Sequence, residues 1–222
     1  MTNDFVPDAP NVAHGTELLK TLAGADMPCV FMDAQYRVLA DFMKFGNEGK
    51  SRMASHYALP QMTEADIIGF MVLIEAALRP SGHLFMWLDK FTLCTGAHLR
   101  WMMPTFEIVD LITWNKGKIG MGFRTRRACE YLIVMQKRPK RAKDVWTRHD
   151  IPDTWSEGIS SEDRTKHPHR KPVGLQGALI RAVTRPGEFV VDPCAGSYSV
   201  MEAAHSVERR FIGCDLIGVK TK

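Results

Sequence analysis

The sequence lacks the features that mark several large classes of protein. No apolar run is long enough to span a bilayer. The first residues have neither the basic start nor the apolar core of a signal peptide. Five cysteines are present, an odd number, and none lies in a Cys-x-x-Cys pair. We therefore expect no membrane association and no disulfide framework. The thiols should be reduced, as in a cytoplasmic protein, or as in the host cytoplasm if the chain is viral.

Several catalytic signatures are also missing. There is no Gly-x-Ser-x-Gly elbow, which would indicate a serine hydrolase, and no phosphate-binding P-loop. The eight histidines do not fall at metal-ligand spacing. His167 and His169 flank a proline in a polar stretch, where solvated side chains are expected. No metal ion is therefore predicted as a cofactor.

What the chain has is an ordinary globular composition with an uneven distribution of charge. Of its 222 residues, 45% are hydrophobic and 24% are charged, which suits one domain with a full core. The net charge is only +4, but basic residues cluster in the second half. The clusters are Lys116, Lys118, Arg124, Arg126 and Arg127; Lys137, Arg138, Lys140, Arg141 and Lys143; and Lys166, Arg170 and Lys171. They indicate either a polyanionic partner such as nucleic acid or a solvated face balanced by carboxylates.

Short apolar runs alternate with amphipathic segments along the chain. The apolar runs predict strands at 28–36, 83–89, 106–116, 129–137, 188–194 and 209–216. The amphipathic segments predict helices at 14–24, 63–79, 91–103, 171–184 and 197–208. This alternation predicts a single α/β domain over residues 1–222, with a doubly wound, mostly parallel sheet covered by helices on both faces.

The remaining segments are predicted to be irregular. Residues 1–13 are polar and contain proline, as in a loose arm, and residues 80–82 are expected to form a turn. Residues 37–62 and 138–166 are long and lack a periodic pattern. We interpret these two segments as mobile loops that recognise a partner.

The stretch Val-Val-Asp-Pro-Cys-Ala-Gly-Ser, residues 190–197, has the features of a cofactor-binding turn. Asp192 lies at the predicted end of a strand, and the small residues after it let the backbone approach a ligand at the start of a helix. Asp215 ends the next strand, where a carboxylate accepts hydrogen bonds from ribose hydroxyls. The turn is not Gly-x-Gly-x-x-Gly, however, so these residues alone indicate a turn without a ligand as readily as a cofactor site.

The order of the segments resembles that of the beta-type amino DNA methyltransferases, which modify adenine N6 or cytosine N4. HGTELLKTLAGADMPCVFMDAQY resembles that family's opening helix and its strand ending in Asp-Pro-Pro-Tyr, and LRPSGHLFMWLD resembles the next turn and strand. LITWNKGKIGMGFRTRRACEYLIVMQK is similar to the segment with Trp-x-Lys, Gly, Arg and Glu-Tyr. HPHRKPVGLQGALIRAVTRPGEFVVDPCAGS and RRFIGCDL resemble the Lys-Pro helix, the cofactor turn and the closing strand. The resemblance covers nearly the whole chain. It implies the circularly permuted, Rossmann-like fold of methyltransferases that depend on S-adenosylmethionine (SAM).

The resemblance assigns roles to individual residues. The catalytic set is Asp33, Ala34, Gln35 and Tyr36. In this set, Asp33 orients the amino group of a flipped base and Tyr36 stacks on that base. The cofactor set is Lys171, Asp192, Pro193, Cys194, Ala195, Gly196, Ser197 and Asp215, with Lys171 on the SAM carboxylate and Asp215 on its ribose. The nucleic-acid set, which would hold phosphates, is Lys116, Arg124, Arg126 and Arg127.

Two of the matched motifs depart from the family's pattern. Ala34 and Gln35 replace both prolines of Asp-Pro-Pro-Tyr, and the amide of Gln35 would help to select the edge of the base. Cys194 replaces a phenylalanine and is either a thiol activated at a helix N-terminus or a small buried hydrophobic residue. Tyr198 replaces the last glycine of the cofactor turn, and its ring either closes the cofactor pocket or points away from it.

These departures leave three functions open. The preferred one is a DNA base-modifying transferase that uses SAM. One alternative is a DNA hypermodification transferase of the same fold, which acts on a modified pyrimidine without SAM. The other is a catalytically inactive subunit that binds nucleic acid beside an active partner. DNA is the expected partner, and both a homodimer and a complex with an active subunit are compatible with the sequence.

Overall fold

The structure, a computed structural model, describes residues 5–33, 62–120, 125–160 and 170–217. The strands are β1 (Asn11–Val12), β2 (Met27–Met32), β3 (Leu78–Leu88), β4 (Phe106–Asn115), β5 (Cys129–Lys137), β6 (Thr154–Ser156), β7 (Phe189–Asp192) and β8 (Arg210–Asp215). The helices are α1 (Gly15–Thr21), α2 (Glu64–Ala77), α3 (Lys90–Thr95), α4 (Ala97–Trp101), α5 (Val173–Val183) and α6 (Ser199–Ser206).

The strands form one sheet of eight in the order β1-β8-β7-β2-β3-β5-β4-β6. Strand β5 runs antiparallel to β3 and β4, and the other neighbouring pairs of the described sheet are parallel. The chain runs outward from β2 to one side and then returns to β7 on the other side. Strand order therefore reverses between β2 and β7, which is where doubly wound sheets bind ligands. The predicted fold class is confirmed.

Two hydrophobic cores cover the two faces of the sheet. Along β2, Cys29 and Phe31 pack into the core under α5 and α6. The alternate residues, Val30 and Met32, pack into the core under α1 and α2. Side chains of a strand point alternately to opposite faces, so burial on both faces requires a continuous apolar run rather than an alternating one. This explains why the strands are visible in the sequence as unbroken apolar segments.

Helix α2, within the segment 63–79 that the sequence predicts to be helical, begins at a capping box. The Thr63 hydroxyl oxygen accepts from the Asp66 backbone N–H at 3.2 Å, and the Asp66 carboxylate accepts from the Thr63 N–H at 2.7 Å. These two bonds satisfy backbone donors that have no partner within the helix. The box fixes where the chain enters α2 before it crosses to β3.

The turn predicted at residues 80–82 is wrong, because these residues belong to β3. Between the pairs Met27–Leu78 and Cys29–His83, β2 advances by two residues and β3 by five. The extra residues form a bulge, in which Ser81 has a φ of 62° and its hydroxyl donates to the Pro139 carbonyl at 2.7 Å. A bulge absorbs a turn-like sequence without ending the strand.

Three other segments differ from the sequence prediction. The helix predicted at 91–103 is divided into α3 and α4 at Gly96, whose φ is 67°. Strand β6 lies within the segment 138–166, which has no strand pattern. Residues 5–13, predicted as part of a loose arm, are attached to the sheet: β1 pairs with β8, and the Asp8 carboxylate accepts from the Phe211 N–H at 2.7 Å.

Most of the predicted loop at 37–62 lies outside the described residues. None of the helices in the described segments is long and apolar enough to cross a membrane.

Candidate active site

The predicted catalytic and cofactor residues meet at one edge of the sheet. Asp33 follows β2, while Asp192 and Asp215 end β7 and β8, so three carboxylates lie at neighbouring strand ends. Glu130 is near the start of β5, and because β5 is antiparallel its start lies at the same edge. Lys171 comes two residues before α5. Ala34, Gln35, Tyr36 and Arg124 lie outside the described residues.

Asp33 belongs to a row of alternating charges. The Lys171 ammonium lies 3.0 Å from the Asp33 carboxylate and 2.9 Å from the Glu130 carboxylate. The second oxygen of Glu130 lies 3.2 Å from the Lys116 ammonium. Lys171 is the most enclosed of the four, with 12% of its side chain exposed, and its ammonium lies 5.2 Å from the centre of the Trp87 ring. The cation at the centre of the row is thus held from three sides.

The pKa values of the central pair show how strongly they are coupled. Burial alone would raise the pKa of Glu130, but the ammonium groups of Lys171 and Lys116 outweigh it and lower that pKa to about 2. Burial likewise acts to lower the pKa of Lys171, and the carboxylates of Asp33 and Glu130 outweigh it and raise that pKa. Both groups are therefore charged at neutral pH.

The cofactor turn is held by backbone donors. The Asp192 carboxylate accepts from the Cys194 N–H at 3.0 Å, which closes the turn just after β7. The Gly196 N–H donates to one oxygen of Asp215 at 3.0 Å, and the Ile217 N–H donates to the other at 2.9 Å. Each carboxylate oxygen has a further lone pair, so Asp215 can still accept from ribose hydroxyls. The turn and the predicted ribose-binding carboxylate are thus fixed against each other.

Asp192 is a buried carboxyl, with 4% of its surface exposed. Burial raises its pKa to about 8, and the negative charges of Asp33 and Asp215 act in the same direction. The bond from the Cys194 N–H opposes this shift without cancelling it. Three carboxyl groups therefore converge at the point where strand order reverses, and a ligand that carries positive charge would relieve their repulsion.

Tyr198 is in the core and does not close the turn. Its ring is 4% exposed and packs edge-on against Phe211 at a centroid distance of 6.1 Å. Its hydroxyl donates to the Asn11 carbonyl at 2.8 Å. The ring is therefore packed inside the protein rather than exposed at its surface. The backbone keeps the conformation typical of the glycine it replaces, with a φ of 55°.

The structure decides between the two interpretations of Cys194. Burial raises the pKa of this thiol, and the neighbouring carboxyl of Asp192 raises it further. The interpretation as an activated thiol is therefore wrong, because a thiol that stays protonated is a poor nucleophile. Cys194 is partly buried and packs against the core under α1 and α2, so it acts as a small hydrophobic residue.

Two glycines allow the backbone to pack tightly around the turn. A Cβ atom on Gly15, the first residue of α1, would lie 2.2 Å from the Pro193 carbonyl oxygen. A Cβ atom on Gly213 in β8 would lie 2.5 Å from the Asp192 carbonyl oxygen. Both distances are far below van der Waals contact. Helix α1 and strand β8 therefore pack directly against the cofactor turn and fix its position.

The described members of the nucleic-acid set lie next to the charge row. Arg126 and Arg127 precede β5 and so lie near the edge where Asp33 is. The Arg127 guanidinium lies 5.9 Å from the centre of the Phe91 ring, and the Lys90 ammonium lies 5.2 Å from it. Lys116 is not simply a solvated cation, since it is paired with Glu130.

Sequence reasoning missed Glu130 and Trp87 as members of the site. Glu130 is part of the Glu-Tyr pair in the resemblance to amino DNA methyltransferases, but its partners cannot be seen in the sequence. It lies 41 residues from Lys171 in the chain, and no local pattern links the two. Trp87 lies in an apolar run, where a core role is the default expectation.

Sequence comparisons show which family and which known proteins this chain is similar to. A family model described as DNA methylase matches residues 64–217. The chain is 46% identical over 209 residues to the type II methyltransferase M.HhaII of Haemophilus parahaemolyticus, an alignment that covers 93% of this chain and 90% of that protein. It is 28% identical over 125 residues to the type II methyltransferase M2.DpnII of Streptococcus pneumoniae, covering 50% of this chain and 47% of that protein.

Two solved structures are similar to this fold. PvuII DNA methyltransferase, which is specific for cytosine N4, has a TM-score of 0.70 at 16% identity, over 96% of this chain and 86% of that chain. The M1.HpyAVI–SAM complex has a TM-score of 0.64 at 18% identity, over 93% and 92%. At these identities the likeness shows the fold alone. The family match and the identity to M.HhaII confirm both the resemblance and the expectation of a transferase: the chain belongs to the DNA methylase family.

Proposed function

We propose that the chain transfers a methyl group from SAM to the exocyclic amino group of an adenine or cytosine in DNA. The observation that carries this proposal is the position of Asp33. It lies at the end of β2, directly across the reversal of strand order from the turn that ends β7. A hydrogen-bond acceptor for the base and the acceptors for a nucleoside cofactor therefore lie on neighbouring strand ends. Membership of the DNA methylase family supports the same reaction.

The residues of the turn fit SAM by their chemistry. SAM contains a ribose, a sulfonium, an ammonium and a carboxylate, and when bound it supplies an electrophilic methyl group. Asp215 would accept from the ribose hydroxyls, since its position is fixed by the N–H groups of Gly196 and Ile217. Asp192 and Asp33 lie beside the turn, so this side of the edge carries several carboxyl groups. The sulfonium and ammonium of SAM would place positive charge among them.

Asp33 would act on the base through hydrogen bonding. Its carboxylate accepts from the amino group, which holds that group in one orientation and increases electron density on the nitrogen. Because Lys171 contacts one carboxylate oxygen, Oδ2, the other oxygen is the one assigned to the base. We assign the stacking contact to Tyr36 and the choice of base edge to Gln35, as the resemblance implies.

We propose duplex DNA in the cytoplasm as the substrate. Lys116, Arg126 and Arg127 would neutralise phosphates, and residues 138–166 would contribute to recognition. A recognition region limited to residues 37–62 and 138–166 favours low sequence specificity or the help of a second subunit. Sedimentation of the protein with and without DNA would distinguish a monomer from a homodimer.

Transfer of a labelled methyl group from SAM to duplex DNA tests the proposed function. Digestion of the product to nucleosides would identify N6-methyladenine or N4-methylcytosine.

We expect Asp33→Ala to lower the rate of transfer by about a hundredfold or more, because the acceptor for the amino group is lost. Asp26→Ala is the matched control, since Asp26 is an exposed carboxylate just before the start of β2, at the end of that strand opposite Asp33. Equal rates for Asp33→Ala and the wild type would contradict the proposal. Modification of DNA without SAM would favour the hypermodification alternative.

A further inference from the structure

We propose that Glu130 is a positioning residue that acts on Asp33 through Lys171. In this role, Glu130 shares the charge of the Lys171 ammonium and so keeps Asp33 available as a strong acceptor for the base. The inference rests on the proposed function, because it concerns the catalytic carboxylate of that reaction.

The geometry places one ammonium between two carboxylates. The Lys171 ammonium is 3.0 Å from Asp33 and 2.9 Å from Glu130, so neither carboxylate holds it alone. The Trp87 ring, at 5.2 Å, provides a third contact. These contacts come from β2, β5 and β3, which are adjacent in the sheet. The ammonium is therefore fixed by the framework of the sheet rather than by a flexible loop.

The charges explain how an ammonium shared between Glu130 and Asp33 affects methyl transfer. The row runs Lys116, Glu130, Lys171 and Asp33, with alternating signs. If Glu130 lost its charge, the Lys171 ammonium would pair with Asp33 alone. A carboxylate that is fully engaged by one ammonium is a weaker acceptor for a neutral amino group. The same loss would leave the two lysines without the anion that separates them.

The same contacts leave Lys171 able to serve the cofactor as well. An ammonium has three donors. Two carboxylates take two donors of the Lys171 ammonium, and the third is left for a further acceptor such as the carboxylate of SAM. Lys171 therefore positions Asp33 without giving up the role that the resemblance assigns to it. The two roles differ in what they change, because the first affects turnover and the second affects cofactor affinity.

The first test is Glu130→Gln, which removes the charge and keeps the shape. We expect kcat for methyl transfer to fall by about tenfold to a hundredfold, as for a small misplacement of a reacting group. The Kd for SAM, measured by calorimetry, should stay within about twofold, because Glu130 lies in β5 and is not part of the turn. Glu130→Asp keeps the charge and should recover part of the lost activity.

Glu107→Gln is the matched control. Glu107 also bridges two cations, with Arg138 at 3.1 Å and Lys140 at 3.3 Å. Its exposure is 31%, close to the 33% of Glu130. It lies near the start of β4, at the opposite edge of the sheet, so its loss should leave kcat unchanged. Thermal unfolding of each variant would show whether it folds.

A double variant tests whether Glu130 acts through Lys171. Lys171→Met removes the ammonium, and adding Glu130→Gln to it should cause no further loss of kcat. Multiplicative losses, an unchanged kcat in Glu130→Gln alone, or a Kd for SAM that rises as kcat falls would each overturn the inference. These outcomes presuppose an active wild type. A wild type that transfers no methyl group would instead overturn the proposed function, and the inference with it.

Discussion

The most unusual single residue of the site is the buried carboxyl of Asp192. Burial, helped by the charges of Asp33 and Asp215, raises its pKa from 3.8 to about 8. The folded protein therefore binds this proton more tightly than the unfolded chain does. It follows that the free energy of unfolding contributed by this group falls as the pH rises from about 4 to about 8, by at most about 1.4 kcal/mol per pH unit.

We expect Asp192→Asn to remove this pH dependence. The amide cannot ionise but its oxygen can still accept from the Cys194 N–H. Urea unfolding at several pH values between 5 and 8 would show a stability that falls with pH in the wild type and less steeply in the variant. Asp66→Asn is the control: hydrogen bonds from Thr63 lower the pKa of Asp66, so its contribution is the same at pH 5 and pH 8. Parallel curves for the wild type and Asp192→Asn would contradict the assignment.

Tyr198 shows how a residue that departs from a family pattern can be packed into the core. The left-handed backbone at this position costs a non-glycine residue about 1–2 kcal/mol. Loss of a buried aromatic ring typically costs about 3–5 kcal/mol, so the packing against Phe211 more than offsets the strain. The sequence gives the position of the substitution. It could not give the direction of the ring, because the Asn11 carbonyl that accepts from its hydroxyl is 187 residues away.

At the scale of elements, α1 is the support of the cofactor turn. We expect Gly15→Ala to weaken SAM binding and to destabilise the protein by about 1–3 kcal/mol, because the added methyl group would displace the Pro193 carbonyl. Gly69→Ala in α2 is the matched control. A Cβ atom there meets no atom within 4 Å, and alanine should stabilise the helix by about 0.5–1 kcal/mol. Calorimetry and urea unfolding check both. Similar results for the two variants would show that α1 does not hold the turn.

The sequence predicts those helices and strands whose formation depends mainly on their own residues. The buried strands β2, β5 and β7 are continuous apolar runs, and α2 begins at a local capping box. The short strands β1 and β6 have no such pattern, since each exists only because a neighbouring strand offers free backbone groups. The bulge in β3 also depends on its partner strand.

The residues of the candidate site divide in the same way, into those that local sequence predicts and those that it does not. Its carboxylates at strand ends could be predicted, because Asp33, Asp192 and Asp215 each follow or end an apolar run. The pairing of Lys171 with Glu130 could not, because it depends on β5 being inserted antiparallel between β3 and β4. A parallel strand in that place would have put Glu130 at the opposite edge. Topology rather than local sequence therefore completes the row of charges.

For the whole molecule, the edge that carries the site has two electrostatic halves. Carboxyl groups gather at the ends of β7 and β8, where a cationic cofactor fits. Basic residues gather where β4 ends and β5 begins, where phosphates fit. Asp33 lies between the two halves, at the end of β2. This separation would bring a cofactor and a polyanion to the same carboxylate from different sides.

The basic half predicts how DNA binding depends on salt. We expect Arg126→Ala to weaken binding of duplex DNA and to reduce the slope of log K against log salt concentration by about 0.9 if its guanidinium holds one phosphate. The effect should be similar for DNA of different sequences, because a phosphate contact reads no base. Fluorescence anisotropy between low and moderate salt measures both.

Lys20→Ala removes one positive charge elsewhere and is the control for this measurement. Lys20 is exposed in the last turn of α1, which leads toward the start of β2 and so away from the edge that carries the site. If the basic half holds the DNA, Lys20→Ala leaves the slope unchanged and Arg126→Ala does not. Equal slopes in both variants would mean that net charge, rather than this part of the surface, attracts DNA. The phosphates would then have to be placed elsewhere on the molecule.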